Sequence, residues 1–213
     1  YTSSGVSGLG NEAITVSDSG SIAASTLSAI AAVNTSGTIK ATSAATVTGT
    51  AAEIIASFGN STITEATNVA ITVNSGTASL SQARTIDGYT TGVVTATIAD
   101  TRVSDLVGDS PLLDANGNNA FTVTIGTADA EITAANLTTL NGLTSVAIEA
   151  GNVTKITGTV SATNTVYAAA GNSQINGLGN EAVVISGESS NTLSDASTLN
   201  TLDGYTTGTV NAG

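Results

Sequence analysis

The sequence contains no histidine, cysteine, tryptophan or methionine. Without histidine, the Ser-His-Asp and Cys-His nucleophile arrangements and imidazole metal sites are excluded. Without cysteine, the chain has no disulfide framework and no thiolate metal site. Only four Tyr and two Phe supply aromatic area, and bulky aromatics normally fill much of a wide globular interior. The inventory therefore favours a narrow core of stacked Val, Ile, Leu and Ala.

Charge is also scarce, since 9% of the residues are charged against roughly 25% in an ordinary soluble domain. Ser, Thr, Asn and Gly must cover the surface, and the 40% of hydrophobic residues predict a folded chain. The formal net charge of −12 repels phosphate backbones and anionic lipid, so we expect no nucleic-acid partner. No apolar run approaches the ~18 residues of a spanning helix, so we expect no membrane insertion.

Two hexapeptides recur in the chain. Gly-Leu-Gly-Asn-Glu-Ala occupies residues 8–13 and 177–182, and Asp-Gly-Tyr-Thr-Thr-Gly occupies residues 87–92 and 203–208. Weaker copies of the first phrase begin near Asn68 and Asn118. The spacing predicts about three and a half repeats of roughly 56 residues. The boundaries lie near 8–60, 61–117, 118–175 and a partial 176–213, in one array that begins and ends in mid-pattern and so reads as a fragment of a longer protein.

Each repeat combines alternating and helical patterns. Residues 13–16 and 93–98 alternate like strands, whereas residues 23–33 and 134–143 have helical spacing. Residues 51–58 form a further short apolar stretch. Each repeat reads as two coils of roughly 25 to 30 residues whose strands stack in parallel. We therefore predict a mostly β fold, a parallel β-solenoid (β-helix) with short helical segments in the returns. An antiparallel β-sandwich is the alternative.

One segment has the residues of a cation site. Asp114, Asn116 and Asn118 alternate as the first oxygen ligands of a calcium loop do, and Asp109 lies near enough to contribute. The glycine comes one position early and position twelve is Ile125 instead of Glu. An Asx-rich turn explains the same residues without a metal. Calcium is the one cofactor that the sequence suggests, and none is required.

The sequence offers no catalytic residues that we can assign, and we predict that the chain is not an enzyme. The acids Asp129 and Glu131 are neighbours of a kind expected on a surface with sixteen acids. A cleft that gathers Asp or Glu with Arg84 or Arg102 would argue for polysaccharide cleavage. Thr-x-Thr pairs suggest a face for ice or a crystalline polymer, although their unequal spacings argue against aligned ranks; they lie at Thr46 and Thr48, Thr95 and Thr97, Thr122 and Thr124, and Thr157 and Thr159.

The phrases at residues 11–21 (Asn-Glu-Ala-Ile-Thr-Val-Ser-Asp-Ser-Gly-Ser) and 46–53 (Thr-Val-Thr-Gly-Thr-Ala-Ala-Glu) carry a resemblance. They are similar to repeats of very large secreted bacterial proteins, namely cyanobacterial-type surface-layer, motility and adhesin proteins, and of fibres from phages of those cells. The resemblance implies an exported, load-carrying or adhesive array. The calcium-binding nonapeptide Gly-Gly-x-Gly-x-Asp of many such proteins is missing here.

We therefore expect an extracellular or cell-surface structural repeat module of a surface layer, filament or adhesin, which acts through self-association. It predicts open ends whose ladder edges another copy would cover. The alternative is a module that binds a receptor, a glycan or ice, such as a phage tail fibre. Trimerisation and an exposed aromatic or Thr-rich face would favour that alternative.

Overall fold

Short strands and helices alternate along the chain in the computed structural model, which describes residues 10–34, 36–108, 111–112, 118–187 and 196–212. The helices are α1 (Ala24–Val33), α2 (Ala51–Phe58), α3 (Leu80–Asp87), α4 (Val103–Val107), α5 (Ala134–Asn141), α6 (Val160–Gly171) and α7 (Ala196–Asp203), with a 3-10 helix at Thr127–Asp129. The strands are β1 (Ile14–Thr15), β2 (Ser21–Ala23), β3 (Ile39–Ala41), β4 (Thr46–Gly49), β5 (Ile63–Glu65), β6 (Ala70–Val73), β7 (Val94–Thr97), β8 (Ala120–Thr122), β9 (Glu131–Thr133), β10 (Ile148–Glu149), β11 (Lys155–Gly158), β12 (Ile175–Asn176), β13 (Ala182–Ile185) and β14 (Val210–Asn211).

The chain divides into two compact units. The first contains Tyr1–Ala99 and Leu113–Ala120, and the second contains Asp100–Leu112 and Phe121–Gly213, each within the described ranges. The division does not test the repeat boundaries given above, which stay a prediction.

Parallel ladders build the first unit. One sheet has the order β1-β3-β5, and β2, β4, β6 and β7 follow one another in a second sheet. In the second sheet Ile22 pairs with Val47, Val47 with Ile71 and Ile71 with Val94, in steps of 25, 24 and 23 residues. All four side chains are buried. The stacked apolar column is therefore the core of this sheet, because side chains in register on one face of parallel strands lie directly above one another.

The second unit repeats this plan. Its four-stranded sheet has the order β14-β13-β11-β9, and β10 pairs with β12. Ile132 pairs with Ile156, Ile156 with Val183 and Val183 with Val210, in steps of 24, 27 and 27 residues. The prediction that strands of successive coils stack in parallel is confirmed by these registers.

The helices stack beside the ladders within each unit. Helix α2 packs between α1 and α3, and α6 packs between α5 and α7. Each presents an apolar side chain to the interior, for example Leu27, Ile54 and Leu137, which are all fully buried. Two helices begin with capping boxes, from Thr50 and Glu53 in α2 and from Ser79 and Gln82 in α3. These caps satisfy backbone N–H groups that a helix of two turns otherwise leaves without partners.

The prediction of a mostly β fold, a parallel β-solenoid, is wrong. The chain is an α/β fold with about 33% helix and 25% strand, several parallel sheets and, over the described ranges, no closed solenoid. Residues 51–58, which we interpreted only as an apolar stretch, form helix α2. The strands contain two to four residues because Gly- and Thr-rich turns end them, so they contribute less of the chain than the helices do.

Gly92 lies where two successive coils of the chain approach each other closely. A Cβ at this position would stand 2.5 Å from the carbonyl oxygen of Asn68 and 2.7 Å from that of Val69. Both neighbours are backbone atoms, which cannot rotate away as a side chain can. A side chain here would therefore force the two coils apart.

We expect Gly92→Ala to lower the free energy of unfolding by about 1–3 kcal/mol, because overpacking against fixed backbone must be relieved by a backbone shift. Chemical denaturation monitored by circular dichroism measures this. Gly20→Ala is the matched control, since nothing lies within 4 Å of a Cβ at Gly20, and it should change stability by less than about 0.5 kcal/mol. Equal effects of the two substitutions would contradict the close approach.

The capping box of α2 makes stability depend on pH. The backbone N–H and the hydroxyl of Thr50 donate to the Glu53 carboxylate, and these bonds hold the pKa of Glu53 below its ordinary value of 4.5. A lowered folded-state pKa adds stability that is present above the unfolded value and is lost as the pH falls through the folded value. Ser79 and Gln82 form the same box without an ionisable group.

We therefore expect Glu53→Gln to melt at a lower temperature than the parent chain at neutral pH. The difference should shrink as the pH falls below 4.5, because the parent carboxylate is then protonated as well. Gln82→Ala is the control, since its deficit should not change over the same range. Thermal melts at a series of pH values measure both, and a Glu53→Gln deficit that stays constant with pH would contradict the assignment.

Candidate functional site

The segment that suggested calcium falls largely outside the described residues. Asp109, Asp114 and Asn116 are among the residues not described, and Asn118 is half-buried. Its neighbour Asn119 is buried, accepts a hydrogen bond from the N–H of Val94 at 2.9 Å and donates to Asp87 at 2.5 Å. Within the described ranges no group of three or more acidic residues is placed to hold a metal. The calcium site stays a prediction.

A polar cleft of about 290 Å³ lies in the second unit. It brings together two acids that the sequence marked as neighbours, Asp129 and Glu131, with Lys155 from the next strand. Asp129 accepts a hydrogen bond of 2.5 Å from the N–H of Val103 at the start of α4, and Glu131 forms an ion pair of 2.5 Å with Lys155. The remaining lining residues are Ser104, Ile132, Thr133, Asn136 and Thr157.

Each charged group of this cleft already has a partner. Glu131 and Lys155 face each other because they are in register on β9 and β11, and the Glu131 side chain is 68% exposed. An ion pair in such contact with water contributes at most about 1 kcal/mol. The cleft gathers acids with a lysine and not with Arg84 or Arg102, the arrangement that would have argued for polysaccharide cleavage. It can offer hydroxyls and an amide to a polar ligand.

The recurring phrases form a latch between successive coils. In the second unit the hydroxyl of Thr206 donates to the carbonyl of Glu181 at 2.6 Å, and the N–H of Thr207 donates to the carbonyl of Gly179 at 2.8 Å. Gly208 follows directly against the backbone of Glu181, where a Cβ would collide with the carbonyl oxygen. Thr206, Thr207 and Gly208 thus clamp the second hexapeptide onto the first.

The same latch recurs in the first unit. The N–H of Ser36 donates to the carbonyl of Gly10 at 2.9 Å, and the N–H of Thr91 donates to that of Thr67 at 2.8 Å. A nearby side chain adds a further bond at each of these places. The Asn34 amide donates to the carbonyl of Glu12 at 2.8 Å, and the Thr90 hydroxyl donates to the carbonyl of Val69 at 2.5 Å. Successive coils are therefore joined by side chains as well as by ladders.

A buried carboxylate lies beneath the latch of the second unit. Glu181 is fully buried and accepts hydrogen bonds from the N–H groups of Gly179 and Asn180 at 2.8 and 3.1 Å. Its other oxygen accepts a bond from the hydroxyl of Tyr167 on α6. Burial raises the pKa of Tyr167, and the hydrogen bond and charge of Glu181 raise it further. These donors offset the desolvation that an ionised buried carboxylate incurs.

Aromatic rings continue the contact into the next repeat. Tyr205 of the second hexapeptide stacks on Tyr167 with ring centroids 5.3 Å apart, and in the first unit Tyr89 stacks on Phe58 at 5.2 Å. Tyr205 is 45% exposed. The repetition of both hexapeptides could have indicated paired roles, but nothing in the sequence marked Tyr167 as the partner of Glu181.

A groove lies in the last described repeat. Leu199, Asn200, Asp203, Val210 and Ala212 line it, with a volume of about 300 Å³, and we call it the tail groove. Strand β14 is the outermost strand of its sheet in the described part of the chain.

A rank of threonines runs across the first unit. Thr48 pairs with Thr72 and Thr72 with Thr95, all on the side of the sheet opposite the buried column. The expectation that Thr-x-Thr pairs would not form ranks is wrong for Thr48 and Thr95, because Thr72, outside any such pair, joins them. Adjacent strands place such hydroxyls about 4.8 Å apart.

No protein-family model, curated protein or solved structure matches this chain. Within the described ranges, the helices are all too short or too polar to cross a membrane.

We expect Tyr167→Phe to lower the free energy of unfolding by about 1–3 kcal/mol, because it leaves one oxygen of a buried carboxylate without its donor. Tyr205→Phe, on the exposed ring of the same stack, is the control and should cost less than about 0.5 kcal/mol. Urea denaturation measures both. Adding Glu181→Gln to Tyr167→Phe should cost less than the two single changes together, and strict additivity would contradict a direct interaction.

Proposed function

We propose that this chain is an extracellular structural repeat module of a surface layer, filament or adhesin, and that it acts by self-association. The observation that carries the proposal is the latch. At Ser36, Thr91 and Thr207, a backbone N–H of one coil donates to a carbonyl of the coil before it. A fold in which a coil uses its neighbour to satisfy polar groups is extendable by further coils of the same kind.

The tail groove supports this proposal. It is lined by the apolar side chains of Leu199, Val210 and Ala212, next to an edge strand. Within the chain the corresponding position beside β13 is occupied by β14 and α7. A second copy is the occupant that we propose for the groove.

The surface charge predicts how assembly responds to salt. Like copies with a net charge of −12 repel one another, and repulsion between exposed charges is screened by salt. The proposed arrays should therefore form more readily as ionic strength rises. Divalent cations, calcium among them, should act at lower concentrations.

A second candidate function is a binding module for a receptor, a glycan or ice, as in a phage tail fibre. The aligned rank of Thr48, Thr72 and Thr95 favours it, because regularly spaced hydroxyls can match a periodic surface. The rank is three residues long, and Thr48 and Thr72 are only half-exposed. We place this function second.

The test is concentration-dependent sedimentation, with electron microscopy of negatively stained samples at low salt, at high salt, with millimolar calcium and with a chelator. We expect rods, sheets or filaments that increase with salt. Leu199→Asp should abolish them, because it places a charge in the tail groove. Ala52→Asp on an exposed position of α2 adds the same charge elsewhere and should not.

Loss of assemblies on chelation alone would assign calcium to the segment that contains Asp109, Asp114, Asn116 and Asn118. Discrete monomers or trimers under every condition would rule out the self-assembling array and favour the binding module. Equal inhibition by Leu199→Asp and Ala52→Asp would show that charge, and not the tail groove, controls assembly.

A further inference from the structure

We propose that copies of this chain associate head to tail, with β14 of one copy pairing in parallel with β2 of the next. The proposal rests on the self-association argued above and adds which surfaces meet. We call β2 with α1 the head surface, and β14 with the tail groove the tail surface. In the described part of the chain, β2 and β14 are each the outermost strand at one side of their sheets.

At the tail surface, Val210 has its backbone groups directed outward. The N–H of Val183 donates to the carbonyl of Thr209 at 2.8 Å, and Val183 is in register with Val210. In a parallel ladder, a residue whose partner bonds to its two neighbours points its own N–H and C=O the other way. The N–H and C=O of Val210 therefore point to the open side of β14.

At the head surface, the alternation has the opposite phase. The N–H of Thr46 donates to the carbonyl of Gly20 at 3.3 Å, while Ser21 is in register with Thr46 and Ala23 with Thr48. By the same geometry, Ser21 and Ala23 direct their N–H and C=O away from β4. The open side of β2 thus offers the two residues that flank Ile22.

These two phases fit each other in one register. If Val210 stands opposite Ile22 of the next copy, its N–H meets the carbonyl of Ser21 and its carbonyl meets the N–H of Ala23. The same register continues the buried column from Val183 and Val210 into Ile22 and Val47. A slip by one residue would bring Val210 onto the solvent face of β2 and lose both matches.

The helices agree with this arrangement. Helix α7 packs on α6 within the chain, at the side of the sheet where β14 joins β13. Residues 24–27 at the start of α1 and residues 196–199 at the start of α7 are both Ala-Ser-Thr-Leu. In the proposed pairing, α1 of the following copy lies beside α7, and the two helices begin with the same four residues.

The pairing joins two different surfaces, so it cannot close by a two-fold axis. Each added copy leaves one head surface and one tail surface free, and such heterologous contacts produce open filaments when the rotation between copies does not close a ring. Such a filament grows by one copy at a time, with a head surface at one end and a tail surface at the other.

Proline tests each surface separately, because it removes a backbone N–H. Ala23→Pro alters the head surface at a residue whose φ of −77° suits proline. Val210→Pro alters the tail surface at an edge strand, where proline is tolerated, and Ala212→Pro is a second tail variant if Val210→Pro does not fold. Circular dichroism checks the fold of each variant, and sedimentation velocity measures the assemblies under conditions where the parent chain polymerises.

Each variant alone should need about tenfold or more higher concentration to assemble. Ala23→Pro keeps a free tail and Val210→Pro keeps a free head, so an equimolar mixture should form one-to-one dimers and nothing larger. Assembly of Ala23→Pro like the parent, with loss in Val210→Pro, would show tail-to-tail pairing and overturn the proposal. Parent-like assembly of both would overturn it as well, while a parent chain that never assembles would refute the proposed function itself.

Discussion

The structure depends on hydrogen bonds that a coil of strand and helix makes to the coil before it. Strands of two to four residues make too few ladder bonds to hold a sheet, and the latch adds a side-chain hydroxyl or amide bond at the entry to the next strand. At Thr206 and Thr90 the donor is buried, with bonds of 2.6 and 2.5 Å to backbone carbonyls. A buried carbonyl without a partner costs about 1–3 kcal/mol, so a coil without its successor is incomplete.

Among the described residues, two acids are buried, Asp87 and Glu181. Glu181 is buried with three donors, two of them N–H groups of its own hexapeptide and one the Tyr167 hydroxyl of the preceding helix. Glu12, in the other copy of the phrase, has the same two backbone donors, at Gly10 and Asn11. The backbone of the phrase thus binds the carboxylate of its own glutamate. At Glu181 the Tyr167 hydroxyl is a third donor.

Sequence reasoning recovered the features that local patterns encode. Residues 23–33 were predicted as helical and form α1 at Ala24–Val33, and residues 93–98 were predicted as a strand and form β7 at Val94–Thr97. The parallel stacking followed from the repeat. Helix α2 was missed although its capping box, Thr50 and Glu53, is visible in the sequence, because its residues were interpreted only as a short apolar stretch. Leaving such a segment without a helical assignment made the fold look mostly β.

The candidate surfaces depended on register, which a sequence with unequal repeat lengths does not fix. The steps between paired strands vary from 23 to 27 residues, and loops absorb the differences. A rank such as Thr48, Thr72 and Thr95 is therefore invisible in the spacing of its members and appears only once the ladders are known. The contact between Tyr167 and Glu181 is likewise invisible in the sequence, because it depends on how α6 packs against the residues directly before β13. The same rule applies at the outermost strands of the described sheets: only the registers show that the outward backbone groups of Val210 and those of Ser21 and Ala23 have complementary phase, which is the feature on which the proposed head-to-tail pairing rests.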